Sequence, residues 1–164
     1  MSKRLDETKN RVQTFAHGDD SSIDNVGEYV NVPYYNIEAS MGGGSFVENE
    51  QITDRFAFKK RWIREMGLDS KHLALITAVG DSMEPTLREG DILLIDLRQK
   101  QVADDGIYVL RLDDRLMTKR LQRLIDGAII IMSDNPIYQK QTVKKDAASD
   151  LAVIGRAVWV GRRI

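Results

Sequence analysis

The sequence predicts a mostly β domain, a curled antiparallel sheet or an irregular β-barrel with one or two short helices. Two observations support this fold class. From Leu73 onward, short apolar runs rich in branched residues alternate with turn signals such as Gly90-Asp91 and Asp126-Gly127. The regular spacing of these runs favours strands that follow one another in a sheet curled on itself.

The N-terminal part of the sequence differs in character from the rest. Residues 1–16 are compatible with a helix but carry only a sparse apolar stripe, and residues 17–25 are typical of a polar loop. We therefore predict an arm or linker over residues 1–29. A single domain is predicted over residues 30–164, beginning with a strand in which apolar residues alternate from Val30.

A run of three glycines, Gly42 to Gly44, follows the first predicted strand. Because glycine has no side chain, such a segment is extended, mobile or closely approached by another backbone. A flexible loop is the commonest of these outcomes. The residues themselves leave the alternatives open.

A short helix is predicted next. Phe58, Trp62 and Met66 are spaced by four residues, and Gly67 stands where a helix would end. The apolar side of this helix is expected to pack on the core. Its basic residues are expected to form a solvated face rather than a nucleic-acid patch, since the overall charge is balanced. They are Lys59, Lys60, Arg61 and Arg64.

Composition excludes several classes of function. The chain has 164 residues, a net charge of −1 and no cysteine, so disulfides, thiol catalysis and cysteine-bound zinc are ruled out. We expect no cofactor and no metal. The sequence has no apolar run of about 18 residues, and its polar start lacks the apolar core of a signal peptide. A cytoplasmic protein without a membrane anchor is therefore expected.

One serine lies in a turn between two apolar strands. The turn reads GDSMEPTL from Gly80 to Leu87, and it connects the apolar runs at 73–79 and 92–97. A serine held in this way is a candidate nucleophile. A serine after Gly-Asp more commonly completes a turn by bonding to nearby backbone, so the motif alone does not decide the role of Ser82.

Lys119 is the matching candidate for a base. In a strand over residues 116–123, Met117, Lys119 and Leu121 lie on one face. Desolvation by apolar neighbours disfavours the ammonium form, and a base must be neutral to accept a hydroxyl proton. Most lysines are solvated surface groups, which is the competing interpretation. A serine paired with a lysine needs neither histidine nor metal.

Two other classes of serine hydrolase share part of this pattern. One family of lipases and esterases also starts with Gly-Asp-Ser, but those enzymes resemble a triad with a late histidine, and here only His17 and His72 occur. Type I signal peptidases have a similar Ser-Met-x-Pro-Thr-Leu stretch and a Ser-Lys dyad, yet they look like membrane-anchored proteins. Soluble Ser-Lys peptidases remain.

Five segments in order carry a more specific resemblance. They are GDSMEPTLREGDILLID, DDGIYVL, TKRLQRL, SDNPIY and VIGRAVWVGR. Together they resemble the self-cleaving Ser-Lys peptidase domain of LexA-type and lambdoid phage repressors, over about residues 30–164. The resemblance implies the mostly β fold of that domain, with Ser82 as the nucleophile and Lys119 as the general base. Backbone amides of Asp81 and Ser82 are the candidates for stabilising the oxyanion.

The resemblance also implies a substrate within the same chain. The matching loop is residues 37–45, and Met41–Gly42 is the bond expected to be cut. Methionine is larger than the small residue that the family usually has before the cut, whereas glycine after it fits because it allows close backbone approach. A tethered loop has a high effective concentration, so a weakly activated serine suffices.

Partners follow from the same resemblance. A homodimer is expected, with the final strand, 151–163, as a candidate edge for pairing. The trigger would be a recombinase filament on single-stranded DNA, as in the SOS response, or an antirepressor. Residues 1–29 are too short for a helix-turn-helix, so this chain is not expected to bind operator DNA. The alternatives are a dimerisation or partner-binding module, as in a repressor or UmuD-like accessory protein, and a peptidase acting on another chain.

Overall fold

The computed structural model describes residues 27–35, 52–112 and 115–164. The strands in these ranges are β1 (Tyr29–Tyr35), β2 (Ile52–Lys59), β3 (Leu73–Thr77), β4 (Ile92–Asp96), β5 (Gly106–Leu112), β6 (Arg115–Arg123), β7 (Ile129–Met132), β8 (Gln141–Val143) and β9 (Ala152–Gly161). The helices are α1 (Lys60–Glu65) and α2 (Lys145–Ala148), with a 3₁₀ turn at Ser70–His72. The described helices are all too short to cross a bilayer.

All described strands belong to one sheet in the order β2-β1-β3-β4-β9-β5-β6-β7-β8. Neighbouring strands are antiparallel except for β1 and β3, which are parallel. The sheet is open, because β2 and β8 are its two edges, so the mostly β prediction is confirmed in its sheet form rather than as a closed barrel. Residues 1–26 of the predicted arm, 1–29, and all of the predicted loop, 37–45, lie outside the described residues.

The last strand lies inside the sheet order. β9 pairs with β4 along residues 156–161 and with β5 along residues 152–156, so the two pairings overlap only at Arg156. The strand therefore completes the sheet, which is one of the two expected alternatives. Residues 157–161 have no partner on the β5 side among the described residues, so pairing of this part with a second copy stays a prediction.

The predicted short helix is present but begins later than the spacing suggested. Phe58 belongs to β2, and its ring stacks on that of Trp62 in α1 with the centroids 5.4 Å apart. The four-residue step between them thus reflects a strand-to-helix junction. Gly67 follows the helix with φ +69°, the left-handed conformation that glycine adopts easily. The four basic side chains, Lys59, Lys60, Arg61 and Arg64, are exposed as predicted.

The core under the site comes from the branched residues of β3 and β4. Ile76, Leu93 and Ile95 are fully buried, and Met83 and Leu87 from the following turn pack against them. Burying an apolar side chain of this size contributes about 1.5–3 kcal/mol. The turn that carries Ser82 is therefore held down by its own apolar residues.

An ion pair between buried Asp91 and exposed Arg162 fixes the end of that turn to the C-terminal segment. Asp91 is 2% exposed and accepts a hydrogen bond from Arg162 Nε at 2.8 Å. Its other oxygen accepts from the backbone N–H of Arg88 at 2.8 Å. The Arg162 guanidinium, followed by that backbone bond, lowers the pKa of Asp91 despite its burial.

Replacing Arg162 with alanine is expected to lower the free energy of unfolding at neutral pH by more than an ordinary surface substitution does, because it leaves the buried Asp91 carboxylate without its partner. The pKa of Asp91 is lowered from 3.8, so the stability that the pair contributes is present above that value and is lost as pH falls. Urea unfolding should show a smaller difference near about pH 3.

The neighbouring variant Arg163→Ala is the control, since Arg163 is exposed and makes no hydrogen bond or ion pair within the described residues. It should unfold within about 0.5 kcal/mol of wild type at both pH values. An Arg162→Ala variant as stable as the control would mean that Asp91 does not depend on this pairing.

Candidate active site

Ser82 lies half-buried in the turn between β3 and β4. The base of the turn is closed by two backbone hydrogen bonds, from Ala78 N–H to the Asp91 carbonyl at 2.8 Å and from Gly90 N–H to the Ala78 carbonyl at 2.9 Å. Glu84 N–H donates to the Asp81 carbonyl at 3.0 Å, which tightens the chain around the serine. The sequence prediction of a serine in a fixed turn is confirmed.

Lys119 lies on β6 with the side chain half-buried. Leu121 on the same face is fully buried, and Met117 lines the same groove as Lys119. The predicted alternation along residues 116–123 is therefore confirmed. Burial lowers the pKa of Lys119, while the negative charge of Asp81 opposes this shift in part. The lysine is thus biased toward the neutral form that a base requires.

Residues 133–138, which we call the bridging loop, contact both candidates. On one side, Ser133 Oγ accepts a hydrogen bond from Lys119 Nζ at 2.9 Å. On the other side, Asn135 N–H donates to the Ser82 carbonyl at 3.0 Å. The loop therefore connects the strand of the candidate base to the turn of the candidate nucleophile.

Tyr138 and Asn135 strengthen this connection through Asp81. The Tyr138 hydroxyl donates to Asp81 Oδ1 at 2.6 Å, and Asn135 Nδ2 donates to the Asp81 carbonyl at 3.1 Å. The bond to Asp81 raises the pKa of Tyr138, which keeps its hydroxyl protonated as a donor. Lys119 Nζ lies 5.5 Å from the centroid of the Tyr138 ring, within reach of a cation–π contact.

An ion pair holds the bridging loop against β6. Arg120 donates from Nε and Nη2 to the two oxygens of Asp134, each at 2.7 Å. The hydrogen bonds from Arg120 lower the pKa of Asp134 most. A hydrogen bond from Thr86, which lies in the turn that carries Ser82 (the serine turn), also lowers it. Such a two-point contact fixes both the position and the orientation of the Asp134 carboxylate against the Arg120 guanidinium.

Ser82 and Lys119 are thus both bonded to the bridging loop, and no hydrogen bond joins them within the described residues. Lys119 Nζ donates to Ser133 instead. The backbone amides of Asp81 and Ser82, the candidates for the oxyanion, have no acceptor among the described residues. Met41 and Gly42 lie outside the described residues.

An apolar groove of about 460 Å³ opens beside Lys119. Its apolar lining comes from β5, β6, β7, β8 and the segment before β9, and its polar lining includes Ser133 and Tyr138. The apolar residues are Leu110, Leu112, Met117, Ile131, Val143 and Leu151. The groove is bounded by β8, an edge strand whose outer backbone groups are able to pair with an extended peptide.

Sequence reasoning missed the bridging loop as part of the site. In the sequence, residues 133–138 contributed only the segment SDNPIY to the family resemblance, and Ser, Asp, Asn and Pro are typical of a turn. The one signal that was present is the concentration of hydrogen-bonding side chains directly after an apolar strand. Nothing in that pattern says that the partners are Asp81 and Ser82, more than fifty positions away in the chain.

The chain is similar over most of its length to several repressor proteins. The 26 kDa repressor protein of Escherichia phage HK022 is 27% identical over 135 residues, covering 80% of this chain and 57% of that protein. Repressor protein CI of Enterobacteria phage phi80 is 29% identical over 133 residues, covering 79% and 55%. The LexA repressor of Mycobacteroides abscessus is 27% identical over 123 residues, covering 74% and 50%. The chain spans about half the length of the curated relatives it matches.

The family comparison covers the part of the chain that forms the site. Residues 33–158 match the family described as Peptidase S24-like. That range runs from within β1 to within β9 and contains the serine turn, Lys119 and the bridging loop. The resemblance to a LexA-type peptidase domain, stated above from five short segments, is thereby confirmed. The chain belongs to the Peptidase S24-like family.

Proposed function

We propose that this chain is the regulatory domain of a phage-type transcriptional repressor and a Ser-Lys peptidase that cuts its own glycine-containing loop. The cut, expected at Met41–Gly42, would separate residues 1–41 from the domain and so inactivate the repressor. One observation supports this function above the others. A half-buried lysine whose pKa is lowered by burial and a serine in a fixed turn are held by the same loop.

The first chemical step follows from these residues. Neutral Lys119 accepts the proton of the Ser82 hydroxyl while Ser82 Oγ attacks the Met41 carbonyl carbon. The negative charge that develops on the carbonyl oxygen is stabilised by the backbone amides of Asp81 and Ser82. The Lys119 ammonium then gives its proton to the Gly42 nitrogen as the peptide bond breaks, and an ester joins Ser82 to Met41.

The second step releases the ester. Neutral Lys119 takes a proton from water, and the resulting hydroxide attacks the ester carbonyl. The Lys119 ammonium then gives its proton to Ser82 Oγ as the ester bond breaks, which frees residue 41 as a carboxylic acid that loses its proton to solvent. The net reaction consumes one water. The apolar groove beside Lys119 would hold the side chains of the loop as an extended strand along β8.

Cutting within one chain has a kinetic signature. If the loop reaches the site of its own chain, the fraction cut after a fixed time should not change over about a hundredfold dilution, because the reaction is unimolecular. Intact-mass spectrometry should give two products, and sequencing of the larger one should begin at Gly42. A rate that falls in proportion to protein concentration would contradict cutting in cis and favour a peptidase that acts on another chain.

A second candidate function is a dimerisation or partner-binding module of the same fold with weak or lost cleavage, in a repressor or a UmuD-like accessory protein. One observation favours it. Asp81 and the Tyr138 ring both stabilise the charged form of Lys119 and so oppose its role as a base. In that case the chain would stay intact at alkaline pH, and a recombinase filament on single-stranded DNA or an antirepressor would be a binding partner or a trigger.

A further inference from the structure

We infer that Ser133 is a positioning residue, which orients the Lys119 amine so that its lone pair faces Ser82. This inference rests on the proposed function, since it assigns a role within the same site. The hydrogen bond from Lys119 Nζ to Ser133 Oγ at 2.9 Å carries it. Ser133 directly follows β7, and the β6–β7 register that pairs Arg120 with Met132 places Ser133 beside Lys119.

A lysine amine needs such a partner. Its end group rotates freely about the last carbon–nitrogen bond, and the neutral form has two N–H donors and a single lone pair. When one N–H is held by an acceptor, the number of directions open to the lone pair falls. A serine hydroxyl that holds the amine in advance thus reduces the rotational entropy that the amine loses when proton transfer begins.

Ser133 is itself held in place from both sides. Asp134, the next residue, accepts two hydrogen bonds of 2.7 Å from Arg120. Asn135, the residue after that, is bonded to the Asp81 and Ser82 carbonyls. The acceptor therefore sits at the start of a segment that is tied both to β6 and to the serine turn. A hydroxyl placed in this way is preorganised for one geometry.

Other groups near Lys119 act through charge rather than direction. Asp81 from the serine turn and the Tyr138 ring from the bridging loop favour the ammonium. Arg111 from β5 lines the same groove, and Tyr108 is the cross-strand neighbour on β5. Ser133 is uncharged, so its removal changes a hydrogen bond and leaves these charges in place.

The test compares Ser133→Ala with Ser133→Thr, which keeps the hydroxyl and suits the end of a strand. Self-cleavage of the full chain is followed by intact mass from neutral to alkaline pH. Ser133→Ala should lower the alkaline plateau rate by about tenfold, because orientation is lost. It should also move the midpoint of the pH profile down by roughly 0.5–1 pH unit. The hydrogen bond to Ser133 stabilises the ammonium form of Lys119 more than the neutral amine, so its loss lowers the pKa of Lys119.

The Lys119 titration supplies a readout that does not depend on cleavage. It is followed by NMR of the side-chain Nζ and Cε signals in a Ser82→Ala background, with and without each Ser133 change. A lower Lys119 pKa in Ser133→Ala that Ser133→Thr restores would support the inference even if no chain is cut. An unchanged pKa, or a loss of rate that Ser133→Thr does not restore, would overturn it. Failure of wild type to cut would count against the proposed function alone.

Discussion

Replacing Ser82 with alanine is expected to lower the rate of self-cleavage by at least about 10³-fold, because the variant lacks the nucleophile of the proposed reaction. The fold should be retained. Asn135 bonds to the backbone carbonyl of Ser82 rather than to its hydroxyl, and Met83 and Leu87 anchor the turn. Intact-mass spectrometry after incubation at neutral and alkaline pH measures the fraction cut.

An exposed serine provides the matched control for this variant. Ser149 follows α2 and is exposed, so Ser149→Ala should cleave at the wild-type rate. The unfolding midpoints of both variants should agree with that of wild type within the range of an ordinary surface change, about 0.5 kcal/mol. Cleavage of Ser82→Ala at the wild-type rate would show that another nucleophile or a contaminating protease makes the cut.

The Lys119→Arg variant is expected to abolish cleavage at every pH tested, since an arginine side chain stays protonated and cannot accept the serine proton. In the wild-type protein the rate should rise about tenfold per pH unit and then level off, as the neutral fraction of the lysine saturates. Burial lowers the pKa of Lys119 from 10.5, so the levelling should come below that value. Rates are read from intact mass across a pH series.

Lys144→Arg serves as the control, because Lys144 is exposed and precedes α2. Its pH profile should match that of wild type. A wild-type rate that is flat from neutral to alkaline pH would contradict the assignment of Lys119 as a base. So would a Lys119→Arg variant that still cuts, since its charge and length are similar but its proton cannot be removed.

Local patterns in the sequence predicted the placement of Ser82 and Lys119, because each placement depends on neighbouring residues. A period of two along β6 placed Lys119 beside Met117 and Leu121, and two apolar runs around a Gly-Asp turn placed Ser82. Both features follow from the alternation of strand side chains and from turn chemistry. The family resemblance added the pairing of the two residues, which neither pattern contains.

The order of the strands could not be predicted in the same way. β9 lies between β4 and β5, and its partners are residues that precede it by about 40 to 70 positions. Apolar alternation gives a strand its faces but says nothing of which strands lie on either side. The place of β9 within the sheet could not be chosen from the sequence for this reason. The helix predicted from Phe58 begins only at Lys60, because a stacked pair of rings four residues apart imitates helical spacing.

The bridging loop was missed because its role is entirely long-range. Its bonds join Tyr138 to Asp81 and Asn135 to Ser82, and only the folded sheet brings these segments together. Hydrogen-bonding residues in a turn predict the turn and not the partners. The same limit applies to Ser133, whose value as an acceptor for Lys119 depends on the β6–β7 register.

Labelling with a fluorophosphonate tests the central claim most directly, because it asks whether Lys119 activates Ser82 without requiring the loop to be cut. Wild type is expected to form a single adduct, on Ser82, and to form it faster as pH rises. Neither Ser82→Ala nor Lys119→Arg should form an adduct. Peptide mass mapping locates the adduct. Labelling of Ser82 at an equal rate in wild type and Lys119→Arg, or no labelling of wild type at any pH, would contradict this claim.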